Sequence, residues 1–356
     1  MRADPWNVSP GEFLDLFTEG RPGSMADHVP YTLYCRRALR ELARRLDCEE
    51  TPEAILGTRK VVGAAEAGRL LSESRVSALL VDTGYPPGAM PLAEMRRLLP
   101  CAIHEVFRIE SCAEALLPKA LTYAEFLEAF RQEIAAARAR SVALKSIIAY
   151  RSGLAVREWP GAGAEAAYRA AVARAHAGGP TRLTEKPLLD TLFLLALTVA
   201  AETGLPFQVH AGMGDPDIEL PQANPLLLQP ILDDGRWNPL RLVLLHLAYP
   251  YFREAAFMAA VWPQVFVDLS LALPFLGAGA IPPLVEVLSL APASKLMYGS
   301  DLGALPELYA LSADWARATL GEALGWLVER GQCRLEEARD LAGQILAGNA
   351  RSLYAL

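Results

Sequence analysis

Cysteine is scarce in this chain of 356 residues: Cys35, Cys48, Cys101, Cys112 and Cys333 form no CxxC pair and are odd in number. That excludes a disulfide framework, and reduced thiols in a cytosol are the expected state. Only five lysines (Lys60, Lys119, Lys145, Lys186, Lys295) stand against 29 arginines, which makes the place of each lysine informative. No Lys/Arg block occurs and the net charge is −7, so neither a nucleic-acid groove nor an anionic membrane face is expected. Long apolar runs are missing too. The longest, LLDTLFLLALTVAAETG, is broken by Asp190 and Thr191 and reads as a buried helix rather than a bilayer span. MRADPWNVSP has no apolar signal-peptide core, and a cytoplasmic location is the expectation. No G-x-G-x-x-G, Walker loop or G-x-S-x-G elbow is present, which removes the main support for nucleotide-binding open sheets and for a serine hydrolase.

What the chain does have is an alternation of β-type runs and helical stretches. The strand candidates are ALLVDTG (78–84), AIHEVFRIE (102–110), VALKSIIAY (142–150), PFQVHAG (206–212), LVLLHLA (242–248), VFVDLSL (265–271) and KLMYGSD (295–301). Between them lie helical patterns such as TYAEFLEAFRQEIAAARAR, which opens on a Thr with Glu125 in capping-box position. Nearly continuous apolar strands, each followed by a helix, predict an α/β fold with a parallel sheet covered by helices. One barrel domain over 1–356 is expected, with a helical segment at 1–75 and strands with their helices at 76–356.

A lone ionisable residue sits at or near the end of each run: Asp82, Glu110, Lys145, His210, His246, Asp268 and Asp301. In a (β/α)8 barrel these ends converge on one mouth, where catalytic groups come from several strands. Any one of them could simply begin its loop; seven together favour a shared mouth. Two histidines and a carboxylate there have the ligand chemistry of a zinc, iron or manganese site, although a single histidine is ordinarily a hydrogen-bonded, half-buried residue. Lys145, flanked by apolar residues, is costly to bury unless paired or modified. It could be a carboxylated metal ligand, a cation for an anionic substrate, a Schiff-base amine, or one half of an ion pair with Glu110 or Asp82. Asp215, in the polar loop HAGMGDPDIELPQANP, could orient substrate or water, and ordinary turn chemistry explains it as well. Arg253 could clamp a carboxylate with its fork of donors.

The ordered motifs FQVHAGMGDPDIELPQANPLLLQPIL, LLHLAYPYFREAAFMAAVWPQVFVDLSL, APASKLMYGSD with PELY, and the tail ILAGNARSLYAL resemble amidohydrolase family 2. The similarity is greatest to the branch fused to glutamine-synthetase-like domains in fungal development and plant nodulin-type proteins. The resemblance implies a (β/α)8 TIM-barrel fold with a divalent metal, zinc in the first place, at its mouth. By position, His210 would ligate metal. His246 would ligate it or polarise the substrate carbonyl. Asp301 would bind metal and take the proton of the attacking water, and Lys145 would ligate if carboxylated. The implied reaction is hydrolysis of a C–N bond of amide type in a small molecule by metal-activated water. Non-oxidative decarboxylation is the enzymatic alternative, with Arg151 or Arg253 holding a carboxylate; a metal-free barrel binding a ligand or partner is the other.

One departure from the family pattern is plain. Its opening His-x-His pair does not occur: His28, His104, His176, His210 and His246 are isolated. Only seven strands are found, so the expected barrel lacks its first strand, carries extra N-terminal helices and binds metal weakly. Exposed strand edges in such a barrel predict homo-oligomers, and analogy with the fused forms suggests a glutamine-synthetase-like partner.

Overall fold

The computed structural model describes residues 1–84, 88–119 and 121–356. Local chemistry sets several helix starts. Ser9 and Thr122 each accept from the third backbone N–H of their helix while Glu12 and Glu125 bond back, closing two capping boxes. Three helices lead the chain, α1 (Pro10–Asp15), α2 (Leu33–Leu46) and α3 (Pro52–Glu73). Seven strands follow: β1 (Ala78–Asp82), β2 (Ala102–Arg108), β3 (Ser141–Ser146), β4 (Phe207–Val209), β5 (Leu242–Leu244), β6 (Val265–Asp268) and β7 (Leu296–Met297). Helices α4 (Leu92–Leu98), α5 (Ile109–Leu116), α6 (Tyr123–Ala137), α7 (Gly161–His176) and α8 (Lys186–Thr203) fall between the first four strands. After β4 come α9 (Gln229–Leu232), α10 (Phe252–Val261), α11 (Ala272–Leu276) and α12 (Ile281–Leu290). Beyond β7 lie α13 (Pro306–Glu329), α14 (Leu335–Gly343) and α15 (Asn349–Tyr354).

All six strand pairings are parallel, and neighbours in sequence are neighbours in the sheet. A flat sheet would hold β1 and β7 roughly 29 Å apart, at about 4.8 Å per strand. Yet Asp82 at the end of β1 and Asp301 beyond β7 repel one another electrostatically. The sheet is therefore curled into a TIM-barrel-like α/β fold. Seven strands are present among the described residues, as the sequence predicts, and no pairing joins β7 to β1 among them. The backbone of the first two residues crosses that seam: Met1 O accepts from Met90 N at 3.1 Å and Arg2 N donates to Ala304 O at 3.3 Å.

The two-residue period of a strand then sorts the side chains. Leu144, Phe207, Val209, Leu242, Leu244, Val265 and Leu296 face outward into the larger core with the helices. Val106, Ala143, Val243 and Met297 face inward, joined by Leu353 and Tyr354 of α15. Gln208 donates to Tyr354 Oη at 2.9 Å, and Arg241, just before β5, donates to Leu353 O at 3.1 Å. So α15 closes the end of the barrel where the strands begin. One step further along the same inner face, at the opposite end, come Asp82, Arg108, Lys145, His210 and Asp268. The N-terminal helices share a second core with α13, in which Phe13, Leu42, Ile55 and Leu70 meet Leu308, Leu311 and Trp315.

One sequence expectation changes here. Glu110 does not end a strand; β2 stops at Arg108 and Glu110 lies in the first turn of α5. It is buried, accepting from Ser146 Oγ at 2.6 Å and Ile147 N at 3.0 Å, and burial raises its carboxyl.

Candidate active site

The inner-face residues beyond the apolar layer form two groups. In the first, Asp82 accepts from Arg108 Nε at 3.0 Å and from its Nη2, and lies 3.1 Å from Lys145 Nζ. Burial works against the Asp82 charge, but Lys145 and Arg108 hold the carboxyl below its usual range. Of the roles open to Lys145, this geometry supports the ion pair. A carboxylated lysine would set a second anion against Asp82.

The second group centres on two imidazoles. His210 follows β4 directly, and its Nδ1 lies 2.9 Å from His246 Nε2. His246 Nδ1 lies 2.9 Å from Ser270 Oγ and 3.5 Å from Asp301 Oδ2. Both rings are almost wholly buried. Burial drives both pKa values well below the ordinary histidine value, with help from Lys145 and, for His210, from His246. His210 Nε2 is buried without a hydrogen-bond partner. Tyr150 packs on this ring at a centroid distance of 4.2 Å. Asp301 keeps 40% of its side-chain surface open to the mouth, while the protein around it raises its carboxyl and Lys145 partly offsets the rise.

His246 occupies this place because the backbone turns there. Strict alternation after Val243 would point Leu245 inward and His246 out. His246, Leu247 and Ala248 instead take φ of +64°, +55° and +47°, a left-handed run that non-glycine residues adopt only under constraint. Asp301 is likewise at φ +52°. Both side chains that meet at the mouth thus rest on strained backbone.

Gly214 lies where the polar loop passes over the site. A Cβ there would fall 1.9 Å from Tyr150 Oη and 3.0 Å from His210 Nε2. Gly214→Ala should therefore displace the Tyr150 ring and cost about 1–3 kcal/mol, read as a lowered urea midpoint.

The structure brings His210, His246, Asp301 and Lys145 together and separates the other candidates. Arg253 is a correction: it stands at the exposed start of α10, bonded to Glu286 at 2.9 Å, because the chain has by then turned from the mouth onto the outer surface. Arg151 is half-buried and lies 3.3 Å from Glu114 of α5, with its Nε and Nη1 buried and without a hydrogen-bond partner. Asp215 is exposed in the loop, close enough to raise the Glu19 and Tyr150 pKa values by its charge. His246, expected to polarise a carbonyl, has both ring nitrogens occupied, by His210 and Ser270.

Sequence reasoning missed Arg108, Tyr150, Ser270 and Glu19. Arg108 and Ser270 carried a signal, since each lies two residues from a residue already singled out, Glu110 and Asp268. Glu19, from the segment after α1, carried none. Its carboxyl is pushed up to about 7 by burial, then by Asp301 and Asp215. The folded state therefore binds a proton that the unfolded chain has released between pH 4.5 and 7, and stability falls as pH rises through that window. Glu19→Gln should flatten this part of the stability–pH curve, measured by urea denaturation at a series of pH values.

The divalent ion implied for this fold can be tested against these groups. His210 Nε2, a buried nitrogen with no partner, and the open Asp301 carboxylate have the right chemistry to hold one. No group of three or more His, Cys, Asp or Glu residues placed to hold a metal exists among the described residues, whereas catalytic zinc sites usually use three protein ligands. The two residues thus supply part of a coordination shell.

The family model for amidohydrolases matches residues 122–356. Protein fluG of Emericella nidulans is 33% identical over 224 residues, 60% of this chain and 26% of that protein. The chain thus spans about a quarter of this curated relative, which agrees with the branch read from the sequence. A crystal structure assigned as a metal-dependent hydrolase from Lactobacillus casei superposes with a TM-score of 0.88 at 26% identity, over 99% of this chain and 93% of that one. Uronate isomerase from Thermotoga maritima shares the fold, with a TM-score of 0.62 at 17% identity over 88% of this chain and 77% of its own. These likenesses and the mouth of strand-end residues lead to one assignment: the chain belongs to the amidohydrolase family, a family of enzymes built on this barrel.

Proposed function

We propose that this protein hydrolyses a C–N bond of amide type in a small molecule. The observation that carries the reading is the unpartnered, buried His210 Nε2, linked through His246 to an open Asp301 carboxylate 3.5 Å from the His246 ring, at the barrel end where such sites form. A bound divalent ion, held by His210 and Asp301, would lower the pKa of a water and polarise the scissile carbonyl. Asp301 accepts the proton of the attacking water at a carboxylate oxygen. As the C–N bond breaks, it returns that proton to the departing nitrogen, leaving acid and amine. Arg108 and Lys145, with the Asp82 and Asp301 carboxylates near them, make the mouth strongly polar, which favours a substrate with a charged or polar end.

The decarboxylase alternative loses Arg253, which is on the outer surface, and rests on Arg151, whose Nε and Nη1 are without a hydrogen-bond partner. The test is amine or ammonia release from a panel of small carboxyl-bearing amides, with zinc or manganese added. Release from at least one amide is expected. Saturable binding without release from any member would replace the hydrolase reading with that of a ligand-binding barrel.

A further inference from the structure

The two histidines stand in a hydrogen-bonded row with two further residues that no catalytic role has absorbed. Asp268 Oδ1 accepts from three donors: Ser270 N at 2.9 Å, His246 N at 3.3 Å, and Ser270 Oγ at short range. Ser270 Oγ then faces His246 Nδ1, and His246 Nε2 faces His210 Nδ1. All four side chains are at least nine-tenths buried, so no bulk water relays between them.

The direction of each proton in this row follows from its buried end. Two backbone N–H groups converge on Asp268 Oδ1, and a backbone N–H can only donate. Oδ1 is therefore an acceptor whether or not the carboxyl holds a proton on its other oxygen, which lies against Gly299, where a Cβ would fall 2.5 Å away. Ser270 Oγ, the third partner of Oδ1, must donate its only proton there and has lone pairs alone to offer His246. His246 Nδ1 must then carry a hydrogen, which in a neutral ring leaves Nε2 bare. That bare nitrogen is satisfied only if His210 Nδ1 donates to it, and His210 Nε2 is left as a lone pair beneath Gly214 of the loop over the site.

We propose that Asp268 and Ser270 are positioning residues that set the tautomers of both histidines and so present His210 Nε2 as an unprotonated nitrogen. The use of that nitrogen in catalysis rests on the hydrolase reading; the direction of the row does not. A carboxylate or carbonyl behind a ligating histidine is a familiar way of fixing its tautomer. Here the control runs through a serine and a second imidazole. The Gly212 and Met213 carbonyls lie near the His210 ring and favour protonating it. They would support the opposite row, in which His210 Nε2 holds the hydrogen and Ser270 donates to His246. That row would leave the close Ser270–Asp268 pair without its proton, and it is the alternative to be tested.

The experiment is long-range 15N–1H correlation of the histidine rings at neutral pH in the full chain, without added metal or substrate. His28→Gln, His104→Gln and His176→Gln assign the other three rings, and His246→Gln separates the remaining two. The expected spectrum has a protonated Nδ1 and a bare Nε2 on both His210 and His246. Ser270→Ala and Asp268→Asn should each give His210 a population protonated at Nε2, and Ser270→Thr, which keeps the hydroxyl, should restore the wild-type pattern. A wild-type His210 protonated at Nε2 overturns the proposal, and so do unchanged tautomers in a folded Ser270→Ala chain. If the variants do not fold, the wild-type spectrum alone decides the direction. Absence of amidase activity would leave this spectrum untouched, so failure of the functional reading and failure of the row are separable.

Discussion

Glu307→Gln is expected to lower the unfolding free energy by about 3–5 kcal/mol, the usual cost of leaving one partner of a buried ion pair behind. Arg59 on α3 and Glu307 at the start of α13 are, respectively, 0% and 2% exposed. They meet through two parallel bonds, Nε to Oε1 at 2.8 Å and Nη2 to Oε2 at 3.0 Å. Arg59 also donates to Pro5 O at 2.9 Å and lies over the Trp6 ring. One guanidinium thus ties the leading segment and the N-terminal helices to the helix after the last strand. The glutamine keeps the shape and removes the charge, so Arg59 would remain cationic in a dry interior. Urea denaturation reads the loss directly. The double variant Arg59→Met with Glu307→Leu should recover most of it, because it removes both desolvated charges together. A loss below about 1 kcal/mol in the single variant would mean that water reaches the pair.

Asp301→Asn should reduce kcat by about 10²–10⁴-fold, the range attributed to a positioned general base. The amide keeps the size and polarity of the side chain but cannot accept the proton of the attacking water. Its effect should fall on kcat rather than KM, and the thermal unfolding midpoint should stay close to wild type, since the side chain is 40% exposed. The measurement is steady-state kinetics on whichever amide releases amine in the substrate panel. Unchanged kcat would remove Asp301 as the base and turn attention to Glu19, another carboxyl with a raised pKa, which interacts with Asp301.

The likeness in fold to uronate isomerases lies at 17% identity or below for the bacterial enzymes of Thermotoga maritima and Bacillus halodurans. It marks a barrel that serves several chemistries by changing what stands at the strand ends. The chemistry of this chain must therefore be read from its own residues, among them the row from Asp268 to His210.

Much of this was already determined by the sequence. Apolar runs alternating with amphipathic stretches predicted parallel strands and covering helices, because each strand needs both faces buried. A lone ionisable residue at or near the end of each run placed Asp82, Lys145, His210 and Asp268 at strand ends, and the structure puts all four on one inner face. Tertiary structure decided the rest. Arg253 has the right chemistry and follows His246 closely in sequence, yet a change of chain direction puts it outside. Lys145 could have served four roles, and only the approach of Asp82 from a strand two places away favoured one. His246 lies out of phase with its strand and reaches His210 through three left-handed residues, a conformation that no local preference of His, Leu or Ala would predict. Period and hydrophobicity are local properties, written in neighbouring residues. The pairing of charges, the direction of a proton and the strain that holds a ring in place arise only when segments distant in sequence are packed against one another.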